Sequence, residues 1–222
     1  MDRMANFKTY LLGGLIAMAA LMTCGKVQAG TEKLIVAGGC FWCVESDFES
    51  VAGVKGAVSG YIGGSKETAD YKTITKGGTG HYEAVEITFD NKKVSRDQLL
   101  HMFFRSVDPT DAGGQFCDRG DSYRTAIFYK NDAQKAAATA AKSAAQKALG
   151  QKIVTPVLAA GPFYKAEKYH QDYYKGTKIV LTRFGPKKQS EAYKRYRVAC
   201  GRDQRVQQLW GKAAPFAAKY GS

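Results

Sequence analysis

A short apolar run that ends in two glycines and a cysteine constrains this chain more than any other stretch. Residues 34–37 read Leu-Ile-Val-Ala, and Gly38, Gly39 and Cys40 follow directly. An apolar run before a glycine pair is typical of a buried strand that ends in a tight turn. The sequence therefore predicts a strand over residues 33–38 and a helix from Cys40 to about residue 51.

A thiol at the start of a helix is a candidate nucleophile. The unpaired backbone N–H groups and the positive end of the helix dipole favour the thiolate over the thiol. Phe41 and Trp42 come next, so the sulfur of Cys40 would lie beside an apolar wall. This combination suits attack on a small, neutral group that carries a methyl.

The hydrophobic pattern of the later sequence predicts strands alternating with helices. Residues 82–89 alternate as a half-buried strand does, and Ser95 with Gln98 matches a capping box that opens a helix through residue 104. Further predicted elements are a strand at 123–129, a surface helix at 131–149, a strand at 153–160, a short aromatic helix at 166–174 and a helical segment between 183 and 198. We expect a single sheet with helices packed against it.

The glycine-rich segment at residues 59–80 has no clear periodicity. A stretch of that length inside a compact domain is usually functional or disordered. Its tyrosines, Tyr61 and Tyr71, favour a functional segment.

The first 29 residues resemble an export signal. Arg3 and Lys8 give a basic start, residues 11–22 are uncharged and apolar, and Ala29 ends a small-x-small cleavage site. The apolar run is shorter than the roughly 20 residues of a spanning helix. We therefore expect a signal peptide at 1–29, a catalytic domain at 30–222, and a periplasmic or otherwise exported protein without stable membrane insertion. The alternative is an uncleaved leader that tethers the chain to the membrane.

The chain is strongly basic, with 33 Lys and Arg against 20 Asp and Glu and a formal net charge of +13. The basic residues are scattered and form no basic-aromatic cassette of a nucleic-acid module, so no nucleic-acid partner is predicted. The three histidines do not lie at ligand spacing from a cysteine pair. No metal or other cofactor is expected.

Four cysteines remain after the leader, namely Cys40, Cys43, Cys117 and Cys200. Cys40 and Cys43 form a Cys-x-x-Cys, which would suit a thioredoxin-like disulfide oxidoreductase. The two bulky aromatic residues between them argue against that alternative. A third interpretation is a set of structural disulfides in a basic, exported binding protein.

The motif Gly38-Gly39-Cys40-Phe41-Trp42 resembles that of the A-type peptide-methionine sulfoxide reductases, in which Gly-Cys-Phe-Trp carries the nucleophilic cysteine. Over residues 33–175 the resemblance continues, in the family's order, through Gly80-His81-Tyr82-Glu83-Ala84-Val85, Asp108-Pro109-Thr110, Asp118-Arg119-Gly120, Ser122-Tyr123-Arg124 and Glu167-x-x-His170-Gln171-Asp172-Tyr173. It implies an α+β two-layer sandwich with a ferredoxin-like core, a mixed sheet and flanking helices.

Sulfoxide chemistry needs an acid and oxygen-directed donors besides the thiolate, because the sulfur is electrophilic only when its oxygen is polarised or protonated. Glu83 is the best candidate acid, since burial would raise its pKa. Tyr71 and Tyr123 offer hydroxyl donors. By resemblance, these three and Asp118 match the family's acid, oxygen-binding tyrosines and auxiliary aspartate, while Phe41 and Trp42 would form the pocket for the substrate's S-methyl group.

The resemblance implies reduction of methionine S-sulfoxide, in proteins and as the free amino acid, with a thioredoxin-like reductant. Cys40 would become a sulfenic acid that condenses with a second thiol. Family members commonly carry that thiol in a glycine-rich tail, which this sequence lacks. Cys200 is favoured narrowly over Cys117, and Cys43 is the third candidate. A further departure is Asp121-Ser122 before Tyr123, where threonine and glutamine are usual.

Overall fold

The computed structural model describes residues 30–217, so the predicted leader at 1–29 lies outside the described residues. The strands are β1 (Thr31–Gly38), β2 (Val54–Ile62), β3 (Tyr82–Asp90), β4 (Gly114–Gln115), β5 (Asp118–Arg119), β6 (Thr125–Tyr129), β7 (Val157–Ala159), β8 (Phe163–Lys165), β9 (Ile179–Thr182) and β10 (Gly185–Lys188). The helices are α1 (Phe41–Glu49), α2 (Tyr71–Ile74), α3 (Arg96–Phe104), α4 (Asp132–Leu149), α5 (Gln189–Ala199) and α6 (Arg202–Trp210).

Six strands form one mixed sheet in the order β7-β6-β1-β3-β2-β8. Its four central strands are mutually antiparallel, and with α1 and α3 as connections they give the β-α-β-β-α-β order of a ferredoxin-like core. Only the β6–β7 pair is parallel. The predicted fold class is confirmed.

Strand β1 lies at the centre of this sheet because both of its faces are apolar. Leu34 and Val36 pack into the larger core beneath the helices, whereas Ile35 and Ala37 belong to a smaller cluster on the opposite face. A strand covered on both faces reads as a continuous apolar run rather than as an alternation. The strand ends where its last residue, Gly38, pairs with Thr125 of β6.

The helix boundaries follow the predicted capping residues. Ser95 accepts the backbone N–H of Gln98, whose side chain in turn accepts the N–H of Ser95. Asn131 caps α4 by accepting the backbone N–H of Gln134, and Gly150 ends the helix in the left-handed conformation. Both helices are confirmed at about the predicted bounds.

Strand β2 was not predicted, because the glycines at its start and middle hide its pattern. Residues 54–62 pair with β3 almost throughout, so the first part of the presumed irregular segment belongs to the sheet. Gly60 is required there, since a Cβ atom would lie 2.4 Å from the carbonyl oxygen of Tyr164 on β8.

The predicted aromatic helix at residues 166–174 is wrong. The segment forms two separate turns of 3₁₀ helix, Lys168–His170 and Tyr173–Lys175. Between them Asp172 has a left-handed backbone, with φ of 55°. The Gln171 side chain donates to the carbonyl oxygens of Ser59 and Ala166, so this segment is fastened to β2 instead of coiling on itself.

The segment after residue 178 also differs from the predicted helix. It first forms the β9–β10 hairpin, and α5 begins only at Gln189. Helix α6 then returns to the main core, where Val206 and Trp210 are buried among the residues beneath the sheet. This basic segment is therefore built into the same core as the sheet. Among residues 30–217, no helix combines the length and apolar character that crossing a membrane requires.

Candidate active site

Cys40 occupies the N-cap of α1, directly after the end of β1. Its carbonyl oxygen accepts the backbone N–H groups of Cys43 and Val44, which starts the helix. Gly39 makes the turn possible with φ of +78°, and a Cβ atom there would lie 2.5 Å from Cβ of Gln115. Strand, turn and helix therefore present the half-buried sulfur where the sequence predicts it.

A cavity of about 390 Å³ opens at this cysteine and brings the predicted site residues together. We call the following residues of its lining the cavity floor: Cys40, Tyr71, Glu83, Asp118 and Tyr123. They come from α1, α2, β3, β5 and the turn before β6, so the fold assembles them from distant parts of the chain.

Glu83 is a buried acid, with 2% of its surface exposed. Its Oε2 accepts the backbone N–H of Phe41 at 3.1 Å, one residue after the thiol. Burial raises the pKa of Glu83 to about 8, and the nearby Asp118 carboxyl also raises it. At neutral pH this side chain therefore carries a proton that it can donate into the cavity.

Tyr71 and Tyr123 share a hydrogen bond between their hydroxyl groups, and Tyr123 also bonds to Glu83. Burial raises the pKa of Tyr71 to about 12 and moves that of Tyr123 in the same direction. Both hydroxyls thus stay protonated and can donate to an oxygen. Burial likewise raises the pKa of Asp118, against the opposing charge of Arg202.

Phe41 and Trp42 form an aromatic wall beside the thiol. The Trp42 indole stacks on Tyr173 with ring centroids 3.7 Å apart and planes 3° from parallel. Its Nε1 donates to Nδ1 of His170 at 3.1 Å. Burial lowers the pKa of His170 to about 4, so the ring is neutral and can accept this bond. The indole is thereby fixed as a flat apolar surface.

The two thiols of α1 differ from the expected order of acidity. A hydrogen bond from Cys40 lowers the pKa of Cys43 to about 7, assisted by the charges of Arg202 and Arg197. The same bond and burial raise the pKa of Cys40 well above its ordinary value. The opposite shifts of the two pKa values thus have one main cause, the hydrogen bond between the Cys40 and Cys43 thiols.

Cys117 and Cys200 form a disulfide across 83 residues, with their Cα atoms 4.9 Å apart. Both line the cavity at whose floor Cys40 lies. Cys117 is exposed, Cys200 is half-buried, and Cys43 is buried. The structure therefore brings all three candidate resolving cysteines to the cavity that Cys40 lines.

The basic C-terminal segment contributes to the cavity in a manner that its sequence does not predict. Several of its residues line the cavity opposite α1, and we call them the C-terminal wall: Leu181, Thr182, Arg183, Tyr193, Tyr196, Arg197, Cys200 and Arg202. The only local signal was the position of Arg197 and Arg202 on either side of Cys200. In a basic segment, such arginines resemble residues of a solvated surface.

Two buried arginines join this wall to the floor. Arg197 pairs with Asp47 of α1 at 2.8 Å and with Asp203 at 2.7 Å. Arg202 donates to the carbonyl oxygens of Gly38 at 3.1 Å and Ser106 at 3.0 Å, and so supports the end of β1 directly before Gly39 and Cys40.

The fold and the site together define a thiol-based oxidoreductase. A half-buried thiol, a buried carboxylic acid and two tyrosine hydroxyls converge on one cavity, and a disulfide lies in the same lining. This arrangement supplies a proton and oxygen-directed hydrogen bonds, which disulfide exchange alone does not require.

Comparison with known proteins gives the family. The family described as peptide methionine sulfoxide reductase matches residues 32–214. A peptide methionine sulfoxide reductase of Bacillus licheniformis is 45% identical over 187 residues, covering 82% of this chain and 94% of the relative. One of Rhizobium meliloti is 44% identical over 204 residues, covering 92% and 96%.

Solved structures agree with this result. Methionine sulfoxide reductase A of Corynebacterium diphtheriae superposes with a TM-score of 0.61 at 30% identity, covering 67% of this chain and 76% of that one. Reduced Mxr1 from Saccharomyces cerevisiae gives 0.63 at 29% identity, covering 65% and 84%. The chain belongs to the peptide methionine sulfoxide reductase family, and it is an oxidoreductase that uses thiols to reduce methionine sulfoxide. The family match favours this activity over the alternative of a thioredoxin-like disulfide exchanger.

Proposed function

We propose that the chain reduces the S epimer of methionine sulfoxide, in proteins and as the free amino acid, with Cys40 as nucleophile and Glu83 as acid. The convergence of thiol, buried acid and two tyrosine hydroxyls in one cavity carries this proposal. Phe41 and the fixed Trp42 indole offer an apolar surface for the S-methyl group. The product would be repaired methionine.

The oxygen-transfer step balances as follows. The Cys40 sulfur attacks the sulfoxide sulfur while Glu83 protonates the sulfoxide oxygen, which Tyr71 and Tyr123 hold by hydrogen bonds. The hydroxyl group then passes to Cys40, while the sulfur–oxygen bond of the substrate and the transient bond between the two sulfurs both break. Methionine and a Cys40 sulfenic acid result, and the proton that Cys40 gave up restores Glu83.

The gradient of exposure among the cysteines suggests the order of the following steps. Half-buried Cys200 condenses with the sulfenic acid, which releases water and forms a Cys40–Cys200 disulfide. Cys117 then attacks Cys200, which frees Cys40 and leaves the Cys117–Cys200 disulfide. An external dithiol finally attacks the exposed sulfur of Cys117. The Cys117–Cys200 bond of the structure supports this order, and a competing order would use Cys43 as the first resolving thiol.

A turnover assay tests the proposed activity. Reduced protein is incubated with a peptide that carries methionine S-sulfoxide or R-sulfoxide, and loss of one oxygen is followed by mass. We expect loss from the S epimer only, and none with Cys40→Ser. Absence of loss with the wild type, or full activity of Cys40→Ser, would refute the proposal.

The natural reductant and the location of the protein complete the proposal. A thioredoxin-like dithiol suits the exposed Cys117, and the basic start and apolar run of residues 1–29 suit export to the periplasm. The N-terminus of protein recovered from the periplasm should be Gly30. A full-length chain in the membrane fraction would instead indicate the tethered alternative, and a cytoplasmic chain that retains residue 1 would refute export.

A further inference from the structure

The β9–β10 hairpin reaches the rim of the catalytic cavity through Leu181, Thr182 and Arg183. Its turn is held by Thr182, whose hydroxyl donates to the carbonyl oxygen of Gly185 at 2.7 Å and accepts the N–H of Phe184 at 3.0 Å. Arg183 lies at the tip of this fixed turn and is exposed. Its backbone position is therefore set before any substrate arrives.

The guanidinium of Arg183 is held by aromatic rings instead of by a carboxylate. Its Cζ lies 4.9 Å from the ring centroid of Phe184 and 5.3 Å from that of Tyr196. Within residues 30–217, no Asp or Glu forms an ion pair with it. Stacking uses the faces of the guanidinium plane and leaves the N–H donors at its edges free to bind a planar anion.

The other titratable groups of the cavity determine where such an anion can bind. Glu83 and Asp118 on the floor are acids, so the floor offers no cationic partner to a substrate carboxylate beside the sulfoxide-binding position. Arg197 and Arg202 are buried and already bonded to Asp47 and to backbone carbonyls, respectively. Arg183 is the exposed cation of the cavity lining among the described residues.

We propose that Arg183 forms a carboxylate-binding subsite at the rim, which selects substrates with a carboxylate close to the methionine sulfoxide. Bidentate N–H donors match the two oxygens of a carboxylate. The carboxylate is either an Asp or Glu side chain beside the sulfoxide in a polypeptide or the α-carboxylate of free methionine sulfoxide. This inference rests on the proposed function, because it concerns the substrate of that same cavity.

The test compares matched peptides with the full, reduced protein. The probes are blocked pentapeptides in which Glu, Gln or Lys follows methionine S-sulfoxide, together with free methionine S-sulfoxide and its amide. For each probe, kcat and KM are measured at low and high ionic strength. The protein variants are Arg183→Gln, Arg183→Lys and, as a control, Arg195→Gln, since Arg195 stacks on the same Phe184 ring at 5.7 Å but does not line the cavity.

We expect the wild type to prefer the Glu peptide over the Gln peptide by about fivefold in kcat/KM at low salt, through KM, as a partly exposed charge pair predicts. Arg183→Gln should bring this ratio to within about twofold of one, Arg183→Lys should restore part of it, and Arg195→Gln should keep it. If the kcat/KM ratio of free methionine S-sulfoxide over its amide changed in parallel across these variants, the α-carboxylate would be identified as a second ligand of Arg183.

The subsite would be overturned if the wild type showed no preference for the Glu peptide. It would also be overturned if Arg183→Gln kept the Glu-over-Gln ratio of kcat/KM, or lowered kcat/KM equally for all probes and so left that ratio unchanged. An equal loss of the ratio in Arg195→Gln would overturn it as well. Failure of the proposed function is distinguishable, since in that case the wild type reduces none of the probes.

Discussion

The cavity floor and the C-terminal wall differ in how they are built. The floor is anchored to the sheet: Cys40 follows central strand β1, and Glu83 lies on neighbouring β3 with 2% exposure. The wall is a hairpin and the ends of two helices, with Leu181 86% exposed at its rim. We expect the floor to hold the groups of proton and oxygen transfer on the sheet, and the exposed rim of the wall to give substrate and reductant access to the cavity.

This difference shows how one cavity can combine two requirements. Buried groups acquire shifted pKa values, as Glu83 does, and they need a fixed position to keep them. A disulfide that an external protein must reduce needs an exposed sulfur, as Cys117 has. The two regions are joined by Arg197 and Arg202, which belong to the wall and bond to the floor side.

The largest effect is expected from cutting that connection. Arg197→Met leaves Asp47 and Asp203 buried without their partner, and breaking a buried pair in this manner costs about 3 to 5 kcal/mol of unfolding free energy. Urea unfolding measures the loss. Arg195→Met, on the exposed side of the same helix, should cost less than about 1 kcal/mol. Equal stability of the two variants would mean that the wall is not fastened to the floor through Arg197.

The next effect separates the chemistry of the floor from its structure. Glu83→Gln should slow single-turnover oxygen transfer by about 100-fold, since it removes the proton donor. In the wild type the rate should rise as the hydrogen-bonded pair of Cys40 and Cys43 loses its first proton, and it should fall as Glu83 loses its proton near pH 8. The variant should lack the descending limb.

Glu86→Gln serves as the control, because Glu86 lies on the same strand and pairs with Lys33 at 2.6 Å outside the cavity. It should keep both the rate and the two limbs of the pH profile. If Glu83→Gln kept the wild-type rate of oxygen transfer on both sides of pH 8, Glu83 would not be the acid.

Glu83 also links the pH to the stability of the floor. Its pKa rises from an ordinary 4.5 to about 8 in the folded chain, so between these values the folded state holds a proton that the unfolded state does not. Its contribution to stability is complete below pH 4.5 and is lost as the pH rises to 8. Urea unfolding at pH 6 and pH 9 should show a smaller decrease for Glu83→Gln than for the wild type, and equal decreases would contradict the raised pKa.

A smaller effect is expected for a single hydroxyl of the floor. Tyr123→Phe removes one of the two oxygen donors while the Tyr71 hydroxyl remains, so single-turnover oxygen transfer should slow by about tenfold, roughly the contribution of one hydrogen bond. Tyr129→Phe is a suitable control on the following strand. A change in substrate KM alone would assign Tyr123 to binding instead of to the transition state.

The sequence was sufficient to predict the cavity floor because the motifs that indicate the floor are local. The apolar run of β1, the capping box at Ser95 and the motif around Cys40 each lie in a few consecutive residues, and a resemblance in the family's order supplied Tyr71, Glu83, Asp118 and Tyr123. The structure then brings these five residues to one cavity.

The wall could not be predicted because its interactions join distant residues. The pairing of Arg197 with Asp47 spans 150 residues, and a basic residue in a basic segment gives no sign of burial. Strand β2 could not be predicted for a related reason. Position 60 must be glycine because β8 approaches it closely, and this contact is not visible in the local sequence pattern. The order of acidity of Cys40 and Cys43 also depends on the arginines that α5 and α6 bring close.

Single and multiple turnover of Cys200→Ser test the division between floor and wall most directly. The fully reduced variant is mixed with excess methionine S-sulfoxide peptide and a thioredoxin-like reductant, and methionine is counted per protein. We predict one equivalent at the wild-type rate, followed by turnover at least about tenfold slower, with Cys40 as sulfenic acid or joined to another thiol. Steady turnover at the wild-type rate, or no methionine in the first turnover, would contradict the division.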